Sequence, residues 1–383
     1  MHSIADLRKR ARQRLPRVVF DFIDGGAGDE TALRNNEAAF RRLQLLPRVF
    51  RSSRTRELAC TLLGQTYAAP FGVTPMGLCN LAWPGTDKAL AGACAQAGIP
   101  YALSTMASTD IETMATLAPR HLWFQLYVGG DAQMAASLLA RALAAGVRTL
   151  VLTVDANFPA RRLRDRRNGF ALPLQASPRM LADLIAHPGW SLATLAAGAP
   201  GFANFLVSTG GRTVPIAHML QSLAQAQIDW STLEQARAHW PHQLIVKGVM
   251  DPQDATRIRD LGADGIVVSN HGGRQWAGVP ASIDALPAIR AAVGASFPLL
   301  LDSGVRSGDD IVKALVAGAD FVLLGRAFLY ATAALGAGGA ATAIEILRGE
   351  VDTALAQLGC DSVAALHERR FFQAPSAESG ACE

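Results

Sequence analysis

Eight short apolar runs, each set off by glycine or proline and separated by alanine-rich segments, constrain this chain more than any other feature of its sequence. They read Phe71-Gly-Val-Thr-Pro75, Tyr101-Ala-Leu-Ser104, Leu122-Trp-Phe-Gln-Leu-Tyr127, Thr149-Leu-Val-Leu-Thr-Val-Asp155, Gln243-Leu-Ile-Val-Lys247, Gly265-Ile-Val-Val-Ser-Asn-His271, Pro298-Leu-Leu-Leu-Asp302 and Phe321-Val-Leu-Leu-Gly-Arg326. The runs are continuously apolar rather than apolar at every second residue, the pattern of parallel strands buried on both faces beneath crossover helices. The intervening helices stop alike, at Ala97-Gly98, Ala145-Gly146, Leu261-Gly262 and Ala317-Gly318. Glycine there supplies the left-handed residue that closes a helix before the next strand. Eight such units predict an α/β fold, a closed TIM (β/α)8 barrel in preference to an open sheet.

The connections are of similar length except the one between Asp155 and Gln243, after strand four. It must hold the fourth helix, expected over 231–240, together with an insertion over 156–230 on the face where barrel enzymes carry their sites. Residues 1–70 read as a helical N-terminal cap, with helices over 4–12, from Pro16 onward, and over 29–40. The barrel then occupies 71–155 and 231–359, and the whole of 1–383 is read as one domain. Half the residues are hydrophobic and 18% are charged, which supports a large core and excludes a disordered chain. A net charge of +4 gives no footprint for nucleic acid. The five cysteines form no C-x-x-C pair and fit neither a disulfide framework nor a zinc site. No metal is therefore expected, and a reducing compartment is the default. The charged N-terminus lacks the apolar core of a signal peptide, so a cytoplasmic address is expected.

Polar residues at the strand ends of a barrel converge on one face. Here they are Gln125 and Tyr127, Thr153 and Asp155, Lys247, Ser269, His271 and Arg274, Asp302, Gly304 and Arg306, and Gly325 and Arg326. A buried ionisable group is costly unless paired, so this many at the ends of apolar runs reads as a site. Gly304, Arg306, Gly325 and Arg326 follow strands seven and eight, where such barrels commonly hold a phosphate. Lys247 is one of only four lysines and ends an otherwise apolar strand.

The segment Val268-Ser-Asn-His-Gly-Gly-Arg-Gln275, with Phe124-Gln-Leu-Tyr-Val128, Leu152-Thr-Val-Asp155, Val246-Lys-Gly248, Leu301-Asp-Ser-Gly-Val-Arg306 and Leu324-Gly-Arg326, resembles the FMN-dependent L-2-hydroxy acid oxidase/dehydrogenase family. The likeness runs in order from about Leu15 to Gly359. It is nearest to the mandelate and lactate dehydrogenase branch, through Leu122 to Tyr127, His187-Pro-Gly-Trp-Ser-Leu192, Ala203-Asn-Phe205 and Trp240-Pro-His242. The resemblance implies bound FMN and oxidation of a mandelate-like or otherwise bulky 2-hydroxy acid to the 2-oxo acid. It implies His271 as catalytic base, Asp155 as its carboxylate partner, Arg274 and Arg162 as ligands of the substrate carboxylate, and Tyr127 as a hydrogen-bond donor to the reacting oxygen. Lys247 is implied near the flavin N1 and C2 carbonyl. Pro75, Ser104, Gln125, Thr153 and Ser269 belong to the implied ring site, Asp302 to the ribityl region, and Gly304, Arg306, Gly325 and Arg326 to the phosphate side. A homo-oligomer, a tetramer in the family, is also implied.

The chain departs from the family pattern at Phe22, where a tyrosine hydroxyl helps bind the substrate carboxylate, at Gly169, where an arginine is common, and at Met76, where a small hydroxyl residue stands. Gly77, alanine in glycolate-oxidase-type members, favours a dehydrogenase over an oxygen-using oxidase. From Leu184 to Gly211 the insertion has no formally charged residue, yet Pro188-Gly189 and Pro200-Gly201 break it into pieces too short to span a bilayer. Beside the arginines from Arg161 to Arg167 it reads either as a membrane-surface segment or as a lid. In the mandelate dehydrogenase branch this segment is a membrane anchor, which implies a peripheral place on the inner face of the cell membrane and a membrane quinone as electron acceptor. Two rivals stay open: an oxygen-dependent oxidase, and a barrel that binds a phosphate ligand with no redox role.

Overall fold

The computed structural model describes residues 1–51, 55–128, 132–156, 158–170, 177–208 and 228–372. Three helices open the chain, α1 (Ile4–Arg14), α2 (Arg17–Asp24) and α3 (Thr31–Arg42). The Ser3 side chain accepts from the Asp6 amide to start α1, and Pro16 stands just before α2, where its missing N–H costs nothing.

The helical reading of 1–70 fails beyond α3, because strands β1 (Cys60–Leu62) and β2 (Gln65–Tyr67) form an antiparallel hairpin. Its two-residue turn, Leu63-Gly64, has φ of 51° and 78°, the left-handed pair that matches the twist of a tight hairpin. Leu62 and Tyr67 join Trp123, Val151, Ile245, Val267, Leu300 and Phe321 in one apolar cluster. Tyr67 packs on Trp123 and Phe321, near the starts of their strands, so the hairpin plugs the end of the barrel opposite the site.

Each predicted run is a strand: β3 (Phe71–Met76), β4 (Tyr101–Ser104), β5 (Leu122–Leu126), β6 (Thr149–Thr153), β7 (Gln243–Val249), β8 (Gly265–Val268), β9 (Leu299–Leu301) and β10 (Phe321–Leu324). All pair in parallel and close as β10-β3-β4-β5-β6-β7-β8-β9. The register sets Ser104 beside Gln125 and Thr153 beside Lys247, so the polar strand ends are level with their neighbours. Gly98, Gly146, Gly262 and Gly318 close their helices at φ of 67°, 83°, 86° and 112°.

The fourth helix is Trp230–His239, capped by Asp229. The insertion contributes Leu163–Arg167, Pro178–Ala186, Pro188–Ala197 and Ala203–Ser208. Buried Trp190 donates its indole N–H to the Leu81 carbonyl at 2.9 Å, Asn204 Oδ1 accepts from the Ile111 amide at 3.0 Å, and Asp183 accepts from the Arg17 amide at 2.6 Å. These insertion helices are therefore fastened to barrel and cap. Among the described residues one stretch is long and apolar enough to cross a membrane, Arg326–Leu358, but 72% of its apolar window is buried within the fold, as expected of core helices.

Asp24, at the end of α2, ties three elements together. It accepts from Arg8 at 2.6 and 2.9 Å, from the Tyr330 hydroxyl at 2.7 Å and from Arg164 at 3.0 Å. Burial alone would raise its pKa, but the hydrogen bonds from Arg8 and Tyr330 overcome that and hold it well below the usual carboxylate range. Asp24→Ala, which strands the buried ends of these partners, is expected to cost about 3 kcal/mol of unfolding free energy at neutral pH. Because the folded-state pKa is depressed, this stabilisation is present above the unfolded value of about 4 and lost as pH falls below it. Urea unfolding at two pH values checks both; a cost under about 1 kcal/mol at neutral pH would show that the cap is held elsewhere.

Candidate active site

A cavity of about 530 Å³ opens at the carboxyl ends of the strands, walled by the cap through Phe22, the insertion through Arg162, Asp165, Phe170 and Phe202, and the loops after the strands. It brings together Pro75, Ser104, Tyr127, Arg162, Lys247, His271, Arg274, Asp302, Gly304, Arg306, Gly325 and Arg326. Asp155, Gln125, Thr153 and Ser269 do not line it. Gln125, Thr153 and Ser269 are buried at their strand ends, and Asp155 stands behind the histidine.

After β8 the chain turns through His271, Gly272 and Gly273 at φ of 58°, 65° and 70°. Left-handed geometry is unfavourable for histidine, and the surroundings impose it. Asn270 Oδ1 accepts from the Gly273 amide at 3.1 Å, and Ser303 Oγ accepts from the Gly272 amide at 2.8 Å. A Cβ on Gly273 would lie 2.6 Å from the Leu33 nitrogen of α3. The result is that His271 Nδ1 lies 2.9 Å from Asp155 Oδ1, while Nε2 lies 3.5 Å from the Tyr127 hydroxyl. Gly248 makes this possible, because at its φ of 105° a Cβ would come within 2.6 Å of the Asp155 side chain. A carboxylate on Nδ1 fixes the hydrogen there and leaves Nε2 as the basic nitrogen. Burial pushes the Tyr127 phenol above its ordinary pKa, with the Asp155 charge adding to it, so it remains a donor at neutral pH.

Arg274 donates to the carbonyls of Phe22 and Gly25 at 2.8 and 3.0 Å. Burial, then the charges of Arg162 and Arg326, lower its pKa, which marks a spot that favours an anion. Arg274 and Arg162 lie 5.1 and 6.0 Å from the Phe22 ring centroid, and Phe22 stacks on Phe170 with centroids 4.5 Å apart and planes 11° from parallel. Of the other arginines in this run, Arg164 is bound to Asp21, Asp24 and Glu30 in the cap, and Arg161, Arg166 and Arg167 are exposed. Gly169 lies in a turn at φ 65°, and a Cβ there would meet nothing within 4 Å, so the space beside it is open.

The other half of the cavity is built on Lys247, whose ammonium donates to Ser269 Oγ at 2.7 Å and pairs with Asp302 at 2.8 Å. Burial opposes the charge of Asp302, but Lys247 more than offsets it and the pKa is lowered. Thr74 also donates to Asp302, at 2.9 Å. Gln125 Oε1 accepts from Ser104 at 2.9 Å, whereas Gln125 Nε2, Thr153 Oγ1 and Arg306 Nη2 are buried without a hydrogen-bond partner among the described residues. Arg306 Nη2 lies 3.1 Å from Glu37, an ion pair without hydrogen-bond alignment. Of these residues Arg306 lines the cavity, and because a stranded buried polar atom costs about 1–3 kcal/mol, its unaligned Nη2 suits a polar ligand there. The helix Arg326–Leu335 starts at Gly325 with no side-chain cap, which leaves its first amides for an anion.

Arg326 has a structural part that the sequence did not show. Its guanidinium donates to the carbonyls of Ile23, Gly272 and Gly25 at 3.0, 2.9 and 2.7 Å, joining cap to histidine loop. These bonds use three of its five N–H donors, one on each nitrogen, and Arg326 also lines the cavity. Sequence reasoning also missed Asp165, Thr74 and Phe170 on the cavity wall. Asp165 stood three residues after Arg162, within reach on one helical turn, but was hidden in a run of charges.

The closed barrel gathers a carboxylate-backed histidine, Arg162 and Arg274 at one cavity, which suits proton removal from an anionic substrate, a step that an oxidoreductase needs. The sequence matches the FMN-dependent dehydrogenase family over residues 11–373, and the chain belongs to that family. Its cofactor is FMN, and the Arg306 donor with the uncapped helix start at Gly325, both on the cavity wall, fits its phosphate. It is 38% identical over 366 residues to the (S)-mandelate dehydrogenase of Pseudomonas putida, covering 96% of this chain and 92% of that protein. It is 40% identical over 362 residues to an L-lactate dehydrogenase of Pectobacterium atrosepticum, covering 94% of each. A crystal structure of the monotopic membrane protein (S)-mandelate dehydrogenase is similar at a TM-score of 0.90 and 38% identity, covering 96% of this chain and 97% of that one.

Proposed function

We propose that the protein oxidises an L-2-hydroxy acid with an aryl or similarly bulky side chain to the 2-oxo acid and delivers the electrons to a membrane quinone. The observation that carries this is the meeting, in one cavity, of His271 and Tyr127 with Arg162, Arg274 and the stacked Phe22–Phe170 pair. Arg162 and Arg274 bind the carboxylate, which a guanidinium fork matches in shape and charge. The aromatic pair offers a flat apolar wall to the side chain. Tyr127 donates to the reacting oxygen. His271 Nε2 accepts the proton that leaves as the substrate is oxidised, and Asp155 stabilises the imidazolium. FMN, when bound, supplies the two-electron oxidant. Pro75, Ser104, Gln125, Thr153, Lys247 and Ser269 would hold its ring, Asp302 the ribityl chain, and Gly304, Arg306, Gly325 and Arg326 its phosphate. Comparing kcat/KM for (S)-mandelate and L-lactate, with a quinone analogue under argon and with oxygen alone, tests the reading. Mandelate and the quinone are expected to be preferred; fast turnover with oxygen would make the protein an oxidase.

The insertion supports a place on the membrane. Leu181 and Ile185 project from Pro178–Ala186 at i, i+4, and Leu192 and Leu195 from Pro188–Ala197 at i, i+3; all four are exposed, Leu195 by 80%. Arg161, Arg166, Arg167 and Arg179 are exposed as well. Exposed apolar positions beside arginines suit an anionic leaflet such as the inner face of the cell membrane. Because Trp190 and Asn204 anchor the insertion and Phe202 lines the cavity, the test is surface substitution, not deletion. Changing Leu181, Ile185, Leu192 and Leu195 to serine is expected to abolish flotation with anionic vesicles while turnover with a soluble artificial acceptor persists. Undiminished flotation would leave these helices as a lid alone.

A further inference from the structure

We infer that Asp165 is a positioning residue for substrate binding: it holds Arg162 in place at the cavity wall, ready for the substrate carboxylate. The inference rests on the proposed role of Arg162 as a ligand of that carboxylate. Among the described residues Arg162 has one ion-pair partner, Asp165 Oδ2 at 3.5 Å, and both side chains line the cavity. The neighbouring Arg164 cannot take this part, because Asp21, Asp24 and Glu30 bind it to the cap.

Asp165 is itself constrained. Its side chain is 14% exposed, it belongs to the short helix Leu163–Arg167, and its backbone carbonyl accepts from the Phe170 amide at 2.9 Å, in the turn that brings Phe170 against Phe22. Its carboxylate makes no hydrogen bond to any described residue. Burial pushes its pKa up; the charges of Arg162, Arg274 and Arg164 act against that and favour the ionised form, and Asp21 adds to it.

An ion pair at this distance, without hydrogen-bond alignment, fixes the direction of the guanidinium but leaves its donor fork free for a ligand. A long arginine left unheld would lose its rotamer freedom on clamping a substrate, and one already held has lost it beforehand. Asp165 also offsets the repulsion between Arg162 and Arg274 before an anion arrives.

The test is a double-mutant cycle of Asp165→Asn and Arg162→Met on the FMN-loaded enzyme, with KM and kcat for (S)-mandelate read separately. Asp165→Asn is expected to raise KM about three- to tenfold with a smaller effect on kcat, and to add little in the Arg162→Met background. Asp165→Glu should recover most of the loss. If Arg162→Met raises KM but Asp165→Asn leaves it unchanged or lowers it, the inference is overturned and the role of Arg162 stands. Full additivity in the double variant also overturns it, since Asp165 then acts other than through Arg162. If Arg162→Met itself leaves KM unchanged, the carboxylate-binding reading falls and the inference with it. Asp165→Ser serves the same cycle should the asparagine variant lose FMN.

Discussion

His271→Ala is expected to lower turnover by at least ~10²-fold by removing the general base, while FMN remains bound. The histidine is the group whose Nε2 faces the cavity with Asp155 behind it at 2.9 Å. The loop that carries it should survive the change. Asn270 still holds the Gly273 amide and Ser303 the Gly272 amide, and an alanine in the left-handed region costs only about 1–2 kcal/mol. Rapid mixing of the variant with substrate, followed by the loss of visible flavin absorbance, reads the step directly. A wild-type rate would place the base elsewhere.

Phe22→Tyr is expected to lower KM for a small substrate such as L-lactate and to change an aryl substrate less. Phe22 lies on the cavity wall with Arg162 and Arg274 near its ring and Phe170 stacked on it at 4.5 Å. A hydroxyl added there gives the carboxylate another donor, and a hydrogen bond to a charged group is worth roughly 1.5–3 kcal/mol, about ten- to a hundredfold in binding. An aryl group that already packs on the Phe22–Phe170 wall gains less. Steady-state kcat and KM for both substrates in both proteins decide it: no change for either would show that this part of the cap does not reach the carboxylate.

The barrel was legible because its determinants are local. Continuous apolar runs and glycine helix stops need no tertiary information, and strand ends follow from strand positions. The hairpin β1–β2 was not legible, because three-residue strands carry no period and its turn puts a leucine, Leu63, at positive φ where asparagine or aspartate would have announced it. The His271–Asp155 pair was named from the resemblance, but the need for Gly248 beside it emerges only in three dimensions. Arg326 shows the opposite limit: its position after β10 was read correctly, while the carbonyls that occupy its guanidinium come from the cap, far away in sequence. Gln125 and Thr153 were also placed at the right strand ends, yet no local pattern tells whether such a side chain reaches the cavity surface or stays beneath it.

The most direct test is anaerobic titration of the purified protein with (S)-mandelate, with released cofactor identified after denaturation. The protein is expected to be yellow, to hold about one FMN per chain, and to lose its visible flavin absorbance as one equivalent of 2-oxo acid forms. Retention of full absorbance with every L-2-hydroxy acid tried, in a protein shown to contain FMN, would contradict the reading of His271, Arg162 and Arg274 as the centre of a 2-hydroxy acid dehydrogenase.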